Sequence, residues 1–168
     1  FFGIKSGFTL RWVFEVLDLY SETIYLSLII AIACLLVTLI IGIPAAYVLA
    51  RIGGRISRFI EEIIVLPVAV PGLAIALALI ILYGGYRDFR SSWYFILVGH
   101  ILFTLPFMVR SVLAVLSSTN FKDLEESAAS LGAPFWTRFF SIVLPNAKPG
   151  ILAGSLMVFT LSIGEFNL

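Results

Sequence analysis

The chain has 168 residues, of which 61% are hydrophobic and only 12% are charged, and its mean hydropathy is +1.09. A soluble domain carries about 25% charged residues, so this composition excludes an ordinary soluble domain and predicts an all-α, multi-span membrane protein. The net charge of +1 gives no basic surface for a nucleic-acid partner, and the single cysteine, Cys34, cannot form an internal disulfide.

The first 50 residues divide into a mixed segment and an apolar one. Residues 1–22 interleave charged and apolar side chains, which predicts an extracytoplasmic segment at the membrane interface with Trp12 at headgroup depth. Residues 23–50 carry no charge over 28 positions, more than the about 20 that cross the hydrocarbon. This is the first predicted span, and Pro44 is expected to bend its lower part.

A second span is predicted at about 60–83, after a short loop with three arginines at 51–58. Glu61 and Glu62 at its start are expected to offset the helix dipole and to pair with the loop arginines. Within the span, Pro67, Pro71 and Gly72 cannot continue a regular helix. A broken helix at membrane depth predicts either a mobile, pore-lining segment or a packing kink.

Two further spans each contain an ionisable side chain. The third is predicted at about 93–116, after a polar turn at 84–92, and it holds His100, the only histidine. His100 is expected either to contact solute or to hydrogen-bond a neighbouring helix, with the second favoured. The fourth is predicted at about 148–168, with Asn146 as helix cap, and Glu165 near its end either lines the passage or marks the far interface.

The distribution of basic residues predicts the orientation. With four spans, the loops 51–58 and 117–147 share one side of the membrane. Assigning basic residues near the ends of spans to the nearer loop, that side has seven lysines and arginines and the other has four. This excess places the loop 117–147 in the cytoplasm.

The loop 117–147 carries a pattern of two short helices. Phe121, Leu124, Ala128 and Leu131 recur at helical spacing and predict one apolar stripe, with Lys122, Glu125, Glu126 and Ser130 off it. Gly132 suits the left-handed turn that ends a helix. A second, aromatic-rich helix is predicted from Pro134 to about Val143, and Pro145 is expected to stop it.

The same loop matches a longer signature. It reads Glu126-Ser127-Ala128, three residues, Gly132, nine residues, Ile142, one residue, Leu144-Pro145. This resembles the Glu-Ala-Ala ("EAA") loop of permease subunits from type I ATP-binding-cassette (ABC) importers, with Ser127 in place of the first alanine as the only departure. Without the resemblance, an amphipathic helix lying on the membrane surface is the alternative.

The resemblance implies a fold, a site and partners. It implies the helical bundle of an importer permease in a bacterial or archaeal inner membrane, and a loop that docks onto an ATPase subunit. ATP and Mg²⁺ would bind to that ATPase, so this chain is expected to bind no cofactor and to catalyse no reaction. A second permease subunit and an extracytoplasmic solute-binding protein are also implied as partners. Family members have five or six spans, so an N-terminal and a C-terminal span are expected outside this chain.

The candidate site residues form two groups. The ATPase-coupling group is Leu124, Glu125, Glu126, Ser127, Ala128, Leu131, Gly132, Ile142, Leu144 and Pro145. The candidates for the solute pathway and its gating are Pro67, Pro71, Gly72, His100 and Glu165.

The substrate is predicted only from the resemblance of two short sequence segments to known permeases. The segments GHILFTLPFMVRSVLAVL and SIGEFNL most resemble permeases for polyamines, phosphonates and ferric iron, and the alternative is the sulfate, molybdate and tungstate group. Two different kinds of protein would also fit a multi-span chain. An ion-coupled secondary transporter would leave the loop unexplained, and a structural assembly subunit would show no solute flux when reconstituted.

The sequence lacks the motifs of an enzyme. There is no phosphate-binding loop of the GxxxxGK[ST] type, so the chain itself is not expected to hydrolyse ATP. One histidine and one cysteine cannot supply the ligands of a zinc site. No serine, histidine and carboxylate lie near one another in the sequence as a hydrolytic set would suggest.

Overall fold

A computed structural model describes residues 11–165, and these contain helices and no strand. The start of the predicted interfacial segment, the Trp12 side chain and the end of the predicted fourth span lie outside what is described. The helices are α1 (Arg11–Ile52), α2 (Gly54–Val65), α3 (Gly72–Tyr83), α4 (Arg87–Arg90), α5 (Trp93–Ser118), α6 (Phe121–Ser130), α7 (Phe135–Arg138) and α8 (Leu144–Gly164). A 3₁₀ turn, Leu66–Ala69, follows α2, and a π-helical turn, Phe139–Val143, joins α7 to α8.

Helix α1 does not break at the predicted boundary between the interfacial segment, residues 1–22, and the first span, residues 23–50. It runs without a break for 42 residues, so residues 11–22 are its first turns and not a separate element. No glycine or proline interrupts the helix before Gly42, which removes any reason for it to end near Glu22. At about 1.5 Å per residue the helix is roughly 60 Å long, about twice the hydrocarbon thickness.

Among residues 11–165, three helical segments are long and apolar enough to cross a membrane: Val13–Ile52, Trp93–Ser118 and Phe135–Gly164. The segments Gly54–Ala69 and Gly72–Tyr83 form a pair bent by 96°, which makes a fourth crossing if the pair counts as one span. The bend falls at Pro71, where the sequence predicts a broken helix. Pro67 lies in the 3₁₀ turn that precedes it.

The core is a bundle of α1, α5 and α8. Small residues allow the close contacts between these helices, as is common in membrane proteins. A Cβ on Gly150 of α8 would lie 2.5 Å from the Ser111 carbonyl oxygen of α5, and one on Gly154 would lie 2.9 Å from Met108 Sδ. The buried core is made mainly of Cys34, Ala46, Tyr47, Leu49, Ala50, Met108, Val109, Val112, Leu113, Leu116, Phe121, Val143, Ala147 and Val158.

The predicted stop at Pro145 is wrong. The chain stays helical from Phe135 to Gly164, and Pro145 lies in the first turn of α8. Because proline has no amide hydrogen, it is accommodated where regular i to i−4 bonding is already interrupted, and the π-helical turn provides that interruption. Asn146 is not a cap: its side-chain amide donates to the Ile142 carbonyl at 2.7 Å. The helical segment that contains the predicted fourth span therefore begins at Phe135, before the predicted start of the span near 148.

Candidate functional site

The two short helices α6 and α7 form the turn of a coupling loop, which we define as residues 117–147. Gly132 adopts a φ of +84° between them, as the sequence predicts. Its amide donates to the Ala129 carbonyl at 2.9 Å, and the Ala133 amide donates to the Ala128 carbonyl at 3.0 Å. This pair of bonds is the Schellman arrangement, which satisfies the last carbonyls of α6.

The predicted apolar stripe of α6 is only partly buried against the rest of this chain. Phe121 is buried, but Leu124 is 53% exposed and Leu131 is 89% exposed. The residues of α6 that are buried are Phe121 and Glu125, one turn apart. Helix α6 thus has an inward face with a carboxylate on it and an outward face that presents two leucines.

Glu125 lies at the centre of a buried polar cluster. Its Oε1 accepts hydrogen bonds from Tyr47 Oη at 2.8 Å and from Arg51 Nη1 at 2.7 Å, and Arg138 Nη1 lies 3.5 Å away. The Glu125 side chain is 2% exposed, while that of Arg51 is 47% exposed. Removing one member of a buried ion pair costs on the order of 3–5 kcal/mol, and exposure of Arg51 to solvent reduces that figure here.

Aromatic rings surround the Glu125 cluster on its apolar side. The Tyr47 ring packs against Phe139 with centroids 5.6 Å apart, against Phe135 at 6.2 Å and against Phe121 at 6.3 Å. The Tyr47 ring therefore links the end of α1 to both helices of the coupling loop, while its hydroxyl binds Glu125.

The outer surface of the coupling loop is apolar. We call this set of side chains the outer apolar surface, and its members are Leu124, Leu131, Phe135, Trp136 and Phe140. The Trp136 and Phe140 rings stack with centroids 6.1 Å apart. An exposed group of large apolar side chains on an otherwise ordered loop marks an interaction surface.

The remaining predicted coupling residues differ in their exposure. Glu126 and Ser127 are exposed, and the Ser127 hydroxyl donates to the Asp123 carbonyl at 2.7 Å. Ala128, Ile142 and Leu144 are half-buried, and Pro145 is exposed.

Three of the predicted pathway residues come together, on α3, α5 and the end of α8. A Cβ on Gly72 would lie 2.9 Å from Glu165 Oε1. His100 of α5 is 5% exposed and lies beside the same end of α8, next to Ser162, which is three residues before Glu165. His100 Nδ1 lies 2.8 Å from Ser162 Oγ, so the expected hydrogen bond to a neighbouring helix is present.

Sequence reasoning missed the partners of Glu125. The sequence alone gives Tyr47 no role and places Arg51 only in a short basic loop, yet both bind the coupling loop. Their spacing of four residues places them on one face of a helix, and this was the available signal. The predicted partner of Glu61 is also wrong. Glu61 Oε1 lies 3.1 Å from Nε of Arg110 in α5, and the expected partner was an arginine of the loop 51–58.

A membrane bundle with an ordered apolar loop at one end has the features of a transport subunit that works through a docked partner. The chain belongs to the family described as binding-protein-dependent transport system inner membrane component, whose model matches residues 39–168. It is therefore an inner-membrane permease subunit of an ABC importer, and ATP is hydrolysed by a partner ATPase and not by this chain.

Three of the similar proteins are named as permeases for molybdenum, for molybdate and tungstate, and for sulfate. The molybdenum transport system permease protein ModB of Haemophilus influenzae is 33% identical over 158 residues, covering 87% of this chain and 69% of the relative. The molybdate/tungstate permease protein WtpB of Pyrococcus abyssi is 31% identical, covering 88% and 58%. The sulfate permease protein CysW of Synechocystis is 28% identical, covering 88% and 57%. These names support the alternative substrate group and not the polyamine, phosphonate and ferric-iron group that the phrasing favoured.

Proposed function

We propose that this chain is the permease subunit of an importer for a tetrahedral oxyanion of the molybdate, tungstate and sulfate class. The observation that carries the proposal is the agreement among relatives: proteins from three different organisms with these substrates match over 87% or more of this chain. A permease provides the passage, and the extracytoplasmic binding protein that delivers the solute contributes to the choice among these anions.

The charge around one cavity of the bundle supports an anion. A cavity of about 670 Å³ lies between the end of α1, the start of α2 and the second half of α5. Its charged lining residues are Arg58, Arg110 and Glu61, with Ser57, Ser111 and Ser117 as hydroxyl donors. Because Arg110 and Glu61 form an ion pair, the charge that remains is that of Arg58, and a net positive lining suits an oxyanion better than a polyamine or a ferric ion.

The coupling loop is the proposed docking element for the ATPase. Its outer apolar surface is presented on two helices whose inward faces are fixed by the Glu125 cluster. The assembly consists of two permease subunits, two ATPase subunits that bind ATP and Mg²⁺, and the binding protein. Within it, Pro67, Pro71, Gly72, His100 and Glu165 form the proposed gating region, where the bent pair of helices meets α5 and the end of α8.

Competition for uptake tests the substrate class. The complete importer is reconstituted in vesicles, and uptake of radioactive molybdate is measured with a hundredfold excess of unlabelled competitor. We expect tungstate, molybdate or sulfate to suppress uptake, while spermidine, a phosphonate and ferric citrate leave it unchanged. Uptake of labelled spermidine or iron, with no uptake of any of the three oxyanions, would contradict the proposal.

A further inference from the structure

We propose that Glu125 is a positioning residue that joins the coupling loop to the cytoplasmic end of α1, so that the loop and the first span move as one body. The inference rests on the proposed docking of this loop to an ATPase. It concerns the path by which movement of the loop reaches the bundle, and it assigns that path to a buried side-chain cluster.

The connections of the loop to the three core helices are unequal. The loop is continuous with α8 through α7 and the π-helical turn, with no non-helical residue between Phe135 and Gly164. It is joined to α5 by Thr119 and Asn120, which lie outside both helices, with Thr119 extended at φ −107° and ψ 154°. Helix α1 has no direct chain connection to the loop, so only side-chain contacts can transmit movement to it.

The Glu125 cluster has the geometry that is needed to transmit movement from the loop to α1. Tyr47 and Arg51 lie one turn apart on α1, and both donate to the same oxygen of Glu125 on α6, while Arg138 approaches it from α7. Helices α6 and α7 of the loop and helix α1 outside it therefore meet at a single atom, Glu125 Oε1. Because Glu125 is 2% exposed, water cannot easily take the place of these partners, and charge-assisted bonds shielded from water are the strong ones.

Two further contacts hold the same parts together. The Tyr47 ring packs against Phe121, Phe135 and Phe139, all of which belong to the loop. The Lys122 ammonium lies at the C-terminal end of α1, where it would be 3.5 Å from a Cβ on Gly53. A cation at this end of a helix is favourable because the last carbonyls carry partial negative charge.

Helix α1 can pass the movement on to the rest of the bundle. Ala46, Leu49 and Ala50 lie beside Tyr47 and Arg51 in the sequence and are buried in the core against α5 and α8. A tilt of the loop that is transferred to Tyr47 and Arg51 is therefore applied directly to packed core residues. Without the cluster, α6 can shift at the Thr119–Asn120 linker and the Gly132 turn, and α1 then follows the loop only through its packing against α5 and α8.

A distance measurement tests the joint in the assembled importer. Spin labels are placed at Ile52, the last residue of α1, and at Ser130, the last residue of α6, both of which are exposed. Cys34 is fully buried and does not compete for label. We expect one narrow distance that is the same with and without ATP, and a broad or nucleotide-dependent distance in Glu125→Gln. A distance between the two labels that changes with nucleotide while Glu125 is intact would overturn the proposal.

A functional measurement separates the joint from docking. Glu125→Gln is expected to retain the co-purified ATPase and its hydrolysis, while the number of anions imported per ATP falls on the order of tenfold, a typical size for coupling between sites. Glu125→Asp keeps the charge and should restore part of the ratio. Arg55→Met, which removes an exposed arginine near the end of α1, is the matched control for Arg51→Met and should leave the ratio unchanged.

Each outcome of this measurement has a defined meaning. Import per ATP in Glu125→Gln within twofold of the unsubstituted importer would refute the joint while leaving docking intact. Failure of the unsubstituted chain to retain the ATPase would instead refute the proposed docking. If Glu125→Gln does not accumulate in the membrane, Tyr47→Phe, which removes only the hydroxyl that binds Glu125, gives the same test. An unchanged ratio in Tyr47→Phe together with Arg51→Met would then overturn the proposal.

Discussion

Two adjacent glutamates in the coupling loop have opposite environments. Glu125 is buried against two arginines and a tyrosine, whereas Glu126 is exposed. A helix turns about 100° per residue, so neighbours in sequence point in different directions. Sequence reasoning placed both on a polar face because the groups that bind Glu125 lie in other elements, Arg51 being 74 residues away.

The turn at Gly132 gives a prediction at the same scale. A Cβ there meets nothing within 4 Å, so space does not limit substitution, but the φ of +84° does. Gly132→Val forces a β-branched residue into the left-handed region at a cost of about 1–2 kcal/mol. We expect the turn to open and the co-purified ATPase to fall by about tenfold or more, while insertion in the membrane is normal.

Asparagine supplies the matched control at this position. It tolerates the left-handed region better than other residues with a side chain, so Gly132→Asn should keep most of the ATPase. Quantitative immunoblotting of the purified complex measures both variants. A normal amount of ATPase in Gly132→Val would show that docking does not depend on this turn.

At the scale of the element, prolines were read correctly in one helix and wrongly in another. Pro67 and Pro71 predicted a broken second span, and the helices on either side are bent by 96°. Pro145 predicted a stop, yet the helix continues through it. The difference lies in the π-helical turn at Phe139–Val143, which depends on packing that the sequence alone does not reveal.

The contact between α5 and α8 gives a prediction about stability. A Cβ on Gly150 would lie 2.5 Å from the Ser111 carbonyl, which is backbone and cannot move aside without shifting α5. Overpacking of a core costs about 1–3 kcal/mol, so Gly150→Ala should lower the midpoint of thermal unfolding in detergent by several degrees.

The control is a glycine at the far end of the same helix. A Cβ on Gly164 meets nothing within 4 Å, so Gly164→Ala should leave the midpoint unchanged. Equal midpoints for the two variants would mean that α5 and α8 do not pack closely at Gly150.

At the scale of the whole molecule, composition alone was enough for the class and for most of the spans. Uncharged runs such as 23–50 leave little choice but a membrane helix. Helix ends were harder: charged residues suggested a separate element at 11–22, and Pro145 suggested a stop after 135–143, but both segments are continuous with the long helices that follow them. The Glu125 cluster could not be predicted, since it depends on how α1, α6 and α7 pack together.

The substrate also belongs to this scale. The resemblance of two short segments to known permeases favoured polyamines, phosphonates or ferric iron. Similarity over most of the chain favours molybdate, tungstate and sulfate. The two segments cover only a small part of the chain, so they carry less information about the solute than similarity over 87% or more of it.

The central claim is that the coupling loop touches the ATPase. A photoreactive amino acid in place of Leu131, which is 89% exposed, tests it in intact membranes of cells that make the complete importer. The account predicts a crosslinked product that contains this chain and the ATPase, and none from the same photoreactive residue at Tyr25, which is exposed near the other end of α1. Crosslinks from position 131 to lipid or to the binding protein, with none to the ATPase, would contradict it.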